Sequence, residues 1–455
     1  MDKIFNLNTV VKFTKAIFTR VGFKMFTVGF AEELINAKRV YKALRVNSCR
    51  SIRGRVRISG AKNSALPLLA ASLLTDGVEL RNFPTLLDTL YALQILEKLG
   101  KRVELEGDTL RVEGEVSSLR VPFEISSLFR GSILFLGGLL GAVGRAEVAH
   151  PGGCAIGARP IDQHLKFLEN LGATFEVDEG YIKVELPKAI KNRTFTFDVV
   201  TVTGTENALL TLAGVEGEFE LHNVAIEPEV EDLIGFLRKL GMEIELKGRT
   251  IKVFNPKGFK GRLTHGVIPD RIEAGTFLVI GALLGEPLEV KDLNVHHLGS
   301  VLAKLREAAV NFEIKDDSTV RVYRTERPKA LRIGTAPYPG FPTDMQAQFT
   351  SMLAVAEGTS VVVENIFENR FQHALELIRM GADIEIKGNA ALVRGVEKLK
   401  GAPVNATDLR ASASLVIAGL IAEGTTIVYK IHHLLRGYED LDKKLQRLGC
   451  EVELI

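Results

Sequence analysis

Apolar segments and alternating apolar and polar segments follow one another at a regular spacing along this chain. One pattern, an amphipathic helix that ends in glycine and leads into an alternating strand, occurs six times with 68 to 72 residues between copies. Glycine is typical of a helix C-terminus, and alternation is typical of a half-buried strand. The helix ends lie at residues 96–100, 168–172, 237–241, 305–309, 377–381 and 445–449, and in the fourth copy Ala309 replaces the glycine.

A second kind of helix recurs in step with the first and consists almost wholly of small and aliphatic residues. A helix that is apolar all round must be buried. The six segments are residues 64–74, 132–143, 207–215, 275–284, 345–356 and 411–422. Together the two patterns predict an α/β protein of six units, with apolar helices inside and with amphipathic helices and sheets outside. A chain of 455 residues is long enough for two large domains.

The charge is nearly balanced, with a formal net charge of +2, so the whole chain predicts neither nucleic-acid binding nor attraction to an anionic membrane. Residues 1–43 differ, because they carry eight basic and three acidic residues. Basic residues interrupt their apolar positions, so no secretory signal is predicted. A helix on a membrane surface and a start codon placed too far upstream are both open interpretations. No stable membrane insertion is predicted, since the longest apolar stretches are short and rich in glycine.

Three cysteines, Cys49, Cys154 and Cys450, have spacings that fit neither a zinc site nor a disulfide framework. This usage indicates a reducing, cytoplasmic location and no bound metal. Cys154 lies in Pro-Gly-Gly-Cys-Ala-Ile-Gly-Ala-Arg-Pro at 151–160, where glycines expose the backbone and an arginine follows. A nearby cation stabilises a thiolate, so the segment predicts a reactive thiol. The alternative is a small buried hydrophobic residue.

Polar residues precede or open each apolar helix, where unpaired backbone N–H groups and the helix dipole attract anions. They are Lys62 with Asn63, Arg130, Thr205 with Glu206, residues 270–273, Thr343 with Asp344, and residues 408–410. Thr205 and Asp344 are equally consistent with ordinary helix caps, whereas lysine and arginine are not cap residues. Motifs for phosphate loops, dinucleotide binding and zinc hydrolysis are absent from the sequence, which disfavours those activities.

Six motifs in order resemble one family. They are Ser-Gly-Ala-Lys-Asn at 59–63, the Cys154 segment, Phe-Pro-Thr-Asp-Met-Gln-Ala-Gln at 341–348, Phe-Glu-Asn-Arg at 367–370, Thr-Asp-Leu-Arg-Ala-Ser at 407–412 and Arg-Gly-Tyr-Glu at 436–439. From about residue 44 to 455 the chain resembles the UDP-N-acetylglucosamine 1-carboxyvinyltransferases, which are enolpyruvyl transferases. The resemblance implies two inside-out α/β domains of three units each. The implied domains are residues 44–61 with 270–455, and residues 62–269 with the Cys154 loop; residues 1–43 form a basic extension without a counterpart.

The resemblance implies transfer of the enolpyruvyl group of phosphoenolpyruvate to the 3-hydroxyl of UDP-N-acetylglucosamine, with release of phosphate and no cofactor. This is the first committed step of peptidoglycan precursor synthesis. The implied catalytic residues are Cys154 as the acid, Asp344 as the base, Lys62 and Arg436. The implied phosphoenolpyruvate-binding residues are Lys62, Arg159 and Arg436 at the phosphate, Arg370 and Arg410 at the carboxylate, and Asn63.

The implied UDP-N-acetylglucosamine site is larger. Its residues are Asn63, Arg130, Arg159, Pro160, Ile161, Asp162, His164, Thr201, Val202, Thr203, Asp344 and Ile366. The chain departs from the family pattern at Thr203, which replaces a glycine, and at Ile226, where an arginine is common. No nucleic-acid partner is predicted, and the sequence predicts no oligomeric state.

Two alternatives stay open on the sequence alone. 5-Enolpyruvylshikimate-3-phosphate synthase shares the expected fold and donor, but the resemblance implies that it lacks the cysteine loop. A non-catalytic sugar-nucleotide sensor on the same scaffold is the second alternative. Retention of Cys154, Asp344 and the clustered cations favours an enzyme over a sensor.

Overall fold

The structure is a computed structural model that describes residues 30–153, 156–157, 160–256 and 261–455. Within these residues the strands form six four-stranded sheets. Each sheet has the same arrangement, in which one edge strand runs parallel to its neighbour and the other two pairs are antiparallel. Six copies of one topology confirm the six repeated α/β units.

Three sheets are built from strands between residues 77 and 266. In order from one edge of the sheet to the other, their strands are Arg262–Gly266, Gly77–Arg81, Thr109–Glu113 and Arg102–Glu106; Arg120–Val121, Arg145–Ala149, Tyr181–Glu185 and Thr174–Asp178; and Thr194–Thr196, Gly217–His222, Thr250–Asn255 and Glu243–Lys247.

The other three sheets combine the start of the described chain with its second half. Their strands are Ile52–Arg57, Gly285–Lys291, Thr319–Val322 and Phe312–Asp316; Arg332–Gly334, Thr359–Val363, Ala390–Arg394 and Asp383–Lys387; and Pro403–Asn405, Thr425–Tyr429, Ala43–Asn47 and Val452–Leu454. Strand Ile52–Arg57 thus pairs with a strand more than 200 residues later, so the chain passes between the two sets of sheets.

The predicted apolar helices are buried, one in each unit. They are Lys62–Ala71, Leu134–Val143, Val202–Leu212, Arg271–Leu284, Gln346–Leu353 and Leu409–Ile421. The first three pack on one another, as do the last three. Glycine lets helices Leu134–Val143 and Val202–Leu212 approach each other closely, because a Cβ atom on Gly141 would lie 2.1 Å from the backbone oxygen of Leu210.

The predicted start of the third apolar helix at residue 207 is wrong. The helix begins at Val202, because the Thr201 hydroxyl caps it by accepting a hydrogen bond from the backbone N–H of Gly204 at 3.2 Å. Thr205 and Glu206 therefore lie inside the helix and do not precede it. Their polarity concealed the first turn, which has no apolar periodicity.

The six amphipathic helices also form, each followed by a residue with positive φ. They are Leu87–Lys98, Asp162–Leu171, Pro228–Lys239, Gly299–Glu307, Gln372–Arg379 and Leu441–Arg447. The degenerate copy keeps the same ending, because Ala309 has a φ of 59°. Its N–H donates to Arg306 O at 3.0 Å, and Val310 N–H donates to Leu305 O at 3.0 Å. This pair of bonds is the Schellman arrangement.

A further helix, Phe30–Arg39, packs against Leu87–Lys98 and buries Ala31 and Ile35. The protein itself covers the apolar face of this part of the basic extension, so this helix gives no support to the membrane-surface interpretation. Residues 1–29 lie outside the described residues. No helix in the described part of the chain is long and apolar enough to cross a membrane. Within the described residues the remaining α-helices are Phe123–Ser126 and His432–Leu435, and the 3₁₀ helices are Ser72–Leu74, Arg130–Ile133, Val295–Leu298 and Thr343–Met345.

Replacing Ala309 with glycine should stabilise the protein. An L-residue in the left-handed region costs about 1–2 kcal/mol, and glycine avoids this cost while losing about 0.5–1 kcal/mol of backbone entropy. We expect Ala309→Gly to raise the free energy of unfolding slightly, by up to about 1 kcal/mol, in a urea titration. The matched control is Ala308→Gly, where φ is −71° and the methyl group is buried, so stability should fall. An equal loss in both variants would contradict the argument.

Candidate active site

A cavity of about 470 Å³ lies where the ends of the buried helices from both sets of sheets meet. Thirteen residues predicted for the site line it. They are Lys62, Asn63, Arg130, Pro160, Asp162, Thr201, Val202, Thr203, Asp344, Ile366, Arg370, Arg410 and Arg436. Ile161 and His164 are buried and do not line the cavity. Cys154 and Arg159 lie outside the described residues. One cavity therefore gathers residues that are up to 374 positions apart in the chain.

Asp88 joins two of the predicted substrate-binding cations. Its Oδ1 accepts from Nε of Arg436 at 2.7 Å, and its Oδ2 accepts from Nζ of Lys62 at 3.3 Å. Burial alone would raise the pKa of Asp88, but Arg436 and Lys62 outweigh it and the pKa lies below its ordinary value. Burial lowers the pKa of Lys62, and Asp88 opposes that effect. The carboxylate thus neutralises part of a buried pair of cations.

Asp344 joins Arg370 and Arg410 in the same way. Its Oδ1 accepts from Nη2 of Arg370 at 2.8 Å, and its Oδ2 accepts from Nη2 of Arg410 at 2.9 Å. Burial opposes ionisation, but Arg410 and Arg370 hold the pKa of Asp344 well below its ordinary value. The first helical turn at Thr343–Met345 has no side-chain cap, so Asp344 is not the N-cap that its position allowed. Nη1 of Arg410 has no hydrogen-bond partner within the described residues.

Most of the predicted sugar-nucleotide residues lie on the wall formed by residues 62–269, whereas Asp344 and Ile366 lie on the wall formed by residues 270–455. Nη2 of Arg130 donates to Pro160 O at 2.9 Å, and helix Asp162–Leu171 begins beside it. His164 contacts Thr203 Oγ1 through Nε2 at 3.3 Å and Asn207 Nδ2 through Nδ1 at 2.7 Å. Nδ1 therefore accepts, which leaves the Nε2 proton to point at Thr203. Burial and Arg130 lower the pKa of His164 to about 3, so the ring is neutral.

The segment that contains Cys154 meets the other wall through its neighbour Ile156. Ile156 O accepts a hydrogen bond from the backbone N–H of Asn369 at 3.1 Å, and Ile156 lines the cavity. Asn369 stands one residue before Arg370 in the chain. The cysteine segment and the Arg370 segment are therefore in direct contact across the cavity.

Sequence reasoning missed two charged residues of the cavity, Asp88 and Glu227. Glu206 and Arg271 also line it, and both lie in polar segments that the sequence analysis named without assigning them a role. Asp88 sits in the first turn of its helix, where an acidic residue is expected in any case, so its position gave no signal. The lone carboxylate in the apolar run 86–93 was the available hint. Burial, then Glu229 and Glu227, raise the pKa of Glu206.

The arrangement suits a small ligand that carries more than one negative charge. Four buried cations, Lys62, Arg370, Arg410 and Arg436, face it, and two carboxylates offset only part of their charge. The described residues contain no cluster of side chains that could hold a metal ion. A half-buried, ionised carboxylate such as Asp344 beside an anion site can also accept a proton from a bound hydroxyl group.

Comparison with known proteins identifies the family. The sequence model for EPSP synthase (3-phosphoshikimate 1-carboxyvinyltransferase) matches residues 46–445. The chain is 46% identical over 409 residues to the UDP-N-acetylglucosamine 1-carboxyvinyltransferase of Geobacter metallireducens, covering 89% of this chain and 97% of that one. It is 48% identical to the same enzyme of Xylella fastidiosa, covering 88% and 96%. The chain belongs to the UDP-N-acetylglucosamine 1-carboxyvinyltransferase family.

Solved structures agree with this assignment. The enolpyruvyl transferase NikO from Streptomyces tendae superposes with a TM-score of 0.81 at 25% identity, covering 91% of this chain and 98% of that one. EPSP synthase from Acinetobacter baumannii gives a TM-score of 0.71 at 16% identity, covering 90% and 99%. The predicted enolpyruvyl transferase-like fold of two α/β domains with three repeated units each is thereby confirmed.

Replacing Asp88 with asparagine should leave Lys62 and Arg436 facing each other without a counter-charge. Removing one partner of a buried ion pair costs about 3–5 kcal/mol, so we expect a loss of that size in the free energy of unfolding. Because the folded pKa of Asp88 is lowered, the loss should be complete above its unfolded value near 3.8 and shrink at more acidic pH.

Inorganic phosphate should recover part of this stability, because it can take the place of the lost carboxylate. We expect phosphate to raise the thermal midpoint of Asp88→Asn more than that of the wild type. Asp383→Asn, which removes an exposed partner of Arg394, is the control and should change stability by less than about 1 kcal/mol. A phosphate response equal in all three proteins would show that Asp88 does not occupy an anion site.

Proposed function

We propose that this protein transfers the enolpyruvyl group of phosphoenolpyruvate to the 3-hydroxyl of UDP-N-acetylglucosamine and releases phosphate. The supporting observation is the presence of two carboxylate-bridged pairs of buried cations in one cavity. Phosphoenolpyruvate carries one phosphate and one carboxylate, and so presents one anionic group to each pair. The curated relatives carry the name of this activity.

Lys62 and Arg436, together with Arg159, bind the phosphate in this proposal. Asp88 holds the first two at a fixed separation before the substrate arrives, which reduces the entropy lost on binding. Lys62 belongs to one set of units and Arg436 to the other, so phosphate binding also draws the two walls together. The same cations stabilise the charge on phosphate as it leaves.

Arg370 and Arg410 bind the substrate carboxylate, and Asp344 takes the proton of the sugar hydroxyl. With both arginines directed at it, the lowered pKa of Asp344 makes it a weak base. A substrate carboxylate that shares the arginine N–H groups reduces the positive charge felt by Asp344, and the pKa of Asp344 rises as a result. Binding of phosphoenolpyruvate thus prepares the base.

Cys154 supplies the proton for the addition step in this proposal. The sugar oxygen bonds to the carbon that bears the phosphate, and the thiol proton moves to the methylene carbon. In the elimination step the methyl carbon returns a proton to the Cys154 thiolate, the double bond forms again, and phosphate departs with the electrons of its C–O bond. The hydroxyl proton goes to Asp344, so the two substrates become enolpyruvyl product and phosphate without an oxidant or a cofactor.

The sugar nucleotide binds mainly along the wall formed by residues 62–269, and Asp344 and Ile366 contact it from the wall formed by residues 270–455. The proposed contacts are Asn63, Arg130, Arg159, Pro160, Ile161, Asp162, Thr201, Val202, Thr203, Asp344 and Ile366. His164 acts through Thr203, because its neutral ring directs Nε2 at the Thr203 hydroxyl. Thr203 presents a side chain where the family has a glycine, and its hydrogen bond to His164 keeps that side chain against the wall.

The domain assignment and cellular role belong to the same proposal. We assign residues 44–61 with 270–455 to one domain and residues 62–269 to the other, since the strands of the six sheets divide in this way. The product enters peptidoglycan synthesis, and with it cell-wall formation, cell shape and division. The free thiols Cys49 and Cys450 fit a cytoplasmic location.

The deciding experiment measures phosphate release from phosphoenolpyruvate with and without UDP-N-acetylglucosamine, for wild type and Cys154→Ser in parallel. We expect release that requires the sugar nucleotide and that falls by at least about 10²-fold in the variant. Phosphate release that persists in Cys154→Ser would support the proposed reaction but show that another group supplies the proton. No release from the wild type would refute the proposed reaction and favour a sugar-nucleotide sensor. Release that depends on shikimate 3-phosphate would favour EPSP synthase.

Replacing Asp344 with asparagine should remove the general base, while the amide oxygen can still accept a hydrogen bond from Arg370 or Arg410. We expect kcat to fall by about 10²–10⁴-fold, with a much smaller change in the Kd of UDP-N-acetylglucosamine measured by calorimetry. Asp317→Asn, at an exposed aspartate, is the control and should match the wild type in both measurements. Equal kcat in the two variants would exclude Asp344 as the base.

A further inference from the structure

Two cysteines that take no part in the cavity lie against each other in the unit that contains the first and last strands. Sγ of Cys49 and Sγ of Cys450 are 2.8 Å apart, although 401 positions separate them in the chain. Both are free thiols, and they are 7% and 4% exposed. Neither lines the cavity. The spacing of these cysteines in the sequence gave no indication that they would meet.

Separate backbone hydrogen bonds position the two cysteine residues. Strand Ala43–Asn47 pairs antiparallel with Val452–Leu454, and Asn47 N–H extends the pairing to Glu451 O at 3.0 Å. Beyond this point Cys49 N–H donates to Leu420 O at 2.7 Å, at the end of a buried helix.

Cys450 is fixed from the other side of the contact. Its N–H donates to Leu445 O at 3.0 Å, in the turn that ends the last amphipathic helix. Two separate elements thus bring the two cysteine residues together, and their sulfur atoms already lie 2.8 Å apart. Formation of a covalent bond would need only a small movement of either side chain.

We propose that Cys49 and Cys450 form a reversible intramolecular disulfide when the protein meets a peroxide. In the first step a thiolate sulfur attacks the peroxide, the O–O bond breaks, and a sulfenic acid and one water form. In the second step the other thiol sulfur attacks the sulfenic sulfur, the S–S bond forms, and the second water leaves. The two sulfur atoms lose two electrons in total, and the peroxide gains them. A dithiol reductant reverses the change.

Cys49 is the thiol that reacts first. Its hydrogen bond from Cys450 lowers the pKa of Cys49, although burial opposes this, while the same contact and burial raise the pKa of Cys450. A lowered thiol pKa increases the thiolate fraction, and thiolate is the nucleophile. Cys450 is then the resolving partner that completes the disulfide.

The disulfide would secure the end of the chain. Strand Val452–Leu454 has three residues and forms one edge of its sheet, and short terminal strands open easily. A bond between residues 49 and 450 encloses nearly the whole chain and restricts its unfolded states. The same unit contains helix Leu409–Ile421 with Arg410, so the bond also supports the scaffold behind one cavity cation.

The test uses the full chain with Cys154→Ser, which leaves Cys49 and Cys450 as the only cysteines. The reduced protein is treated with hydrogen peroxide, denatured, alkylated and analysed by mass spectrometry. We expect both thiols to disappear together, one cross-linked peptide joining residues 49 and 450, and a rise of about 5 °C in the apparent Tm that dithiothreitol reverses. Two thiols that still alkylate, separate sulfinic acids, or a cross-link between molecules would overturn the proposal.

Cys49→Ala and Cys450→Ala in the same background are the matched controls. Alanine suits a buried thiol position, and circular dichroism of the reduced proteins reports whether each variant folds. Neither variant should gain Tm with peroxide. A gain in a folded single variant would assign the stabilisation to another group and overturn the role of the pair. The peptide map of the unsubstituted pair gives an answer even where a variant fails to fold.

Discussion

Repulsion among buried cations is the constraint on which the cavity depends. Lys62, Arg370, Arg410 and Arg436 come from three different units, and burial makes an unpaired charge costly. Asp88 and Asp344 reduce this cost by each accepting from two of them. The carboxylates thus hold the cavity together in the free protein, and they leave it with a surplus of positive charge for a substrate.

The repeated fold explains why these charges meet. In each unit a buried helix points one end at the centre, so its first residues reach the cavity while its apolar surface packs against the other buried helices. Two units take their parallel edge strand from a distant part of the chain, and this exchange joins the two sets of sheets twice. Lys62 and Arg410 are consequently held by packed buried helices, one in each set of units.

Much of the fold was readable from the sequence because burial follows periodicity. All six buried helices and all six amphipathic helices lie where the apolar patterns predicted them, and even Ala309 keeps the turn that glycine makes elsewhere. The predicted starts of the helices were less accurate. The helix that begins at Val202 has a polar first turn, and such a turn shows no apolar periodicity from which its start could be predicted. Asp88 escaped detection because an acidic residue in a first helical turn is common, and only the three-dimensional contact with Arg436 distinguishes it.

The contact between Cys49 and Cys450 follows from the same topology. A unit that is closed by both ends of the chain must bring residues near the first strand next to residues near the last, whatever their separation in sequence. Sequence spacing is informative for metal ligands and disulfides only when the cysteines share a local segment. In this fold the pairing that closes the sixth unit determines which thiols meet, whereas the packing of helix Leu409–Ile421 on Gln346–Leu353 brings Arg410 to Asp344 in the neighbouring unit.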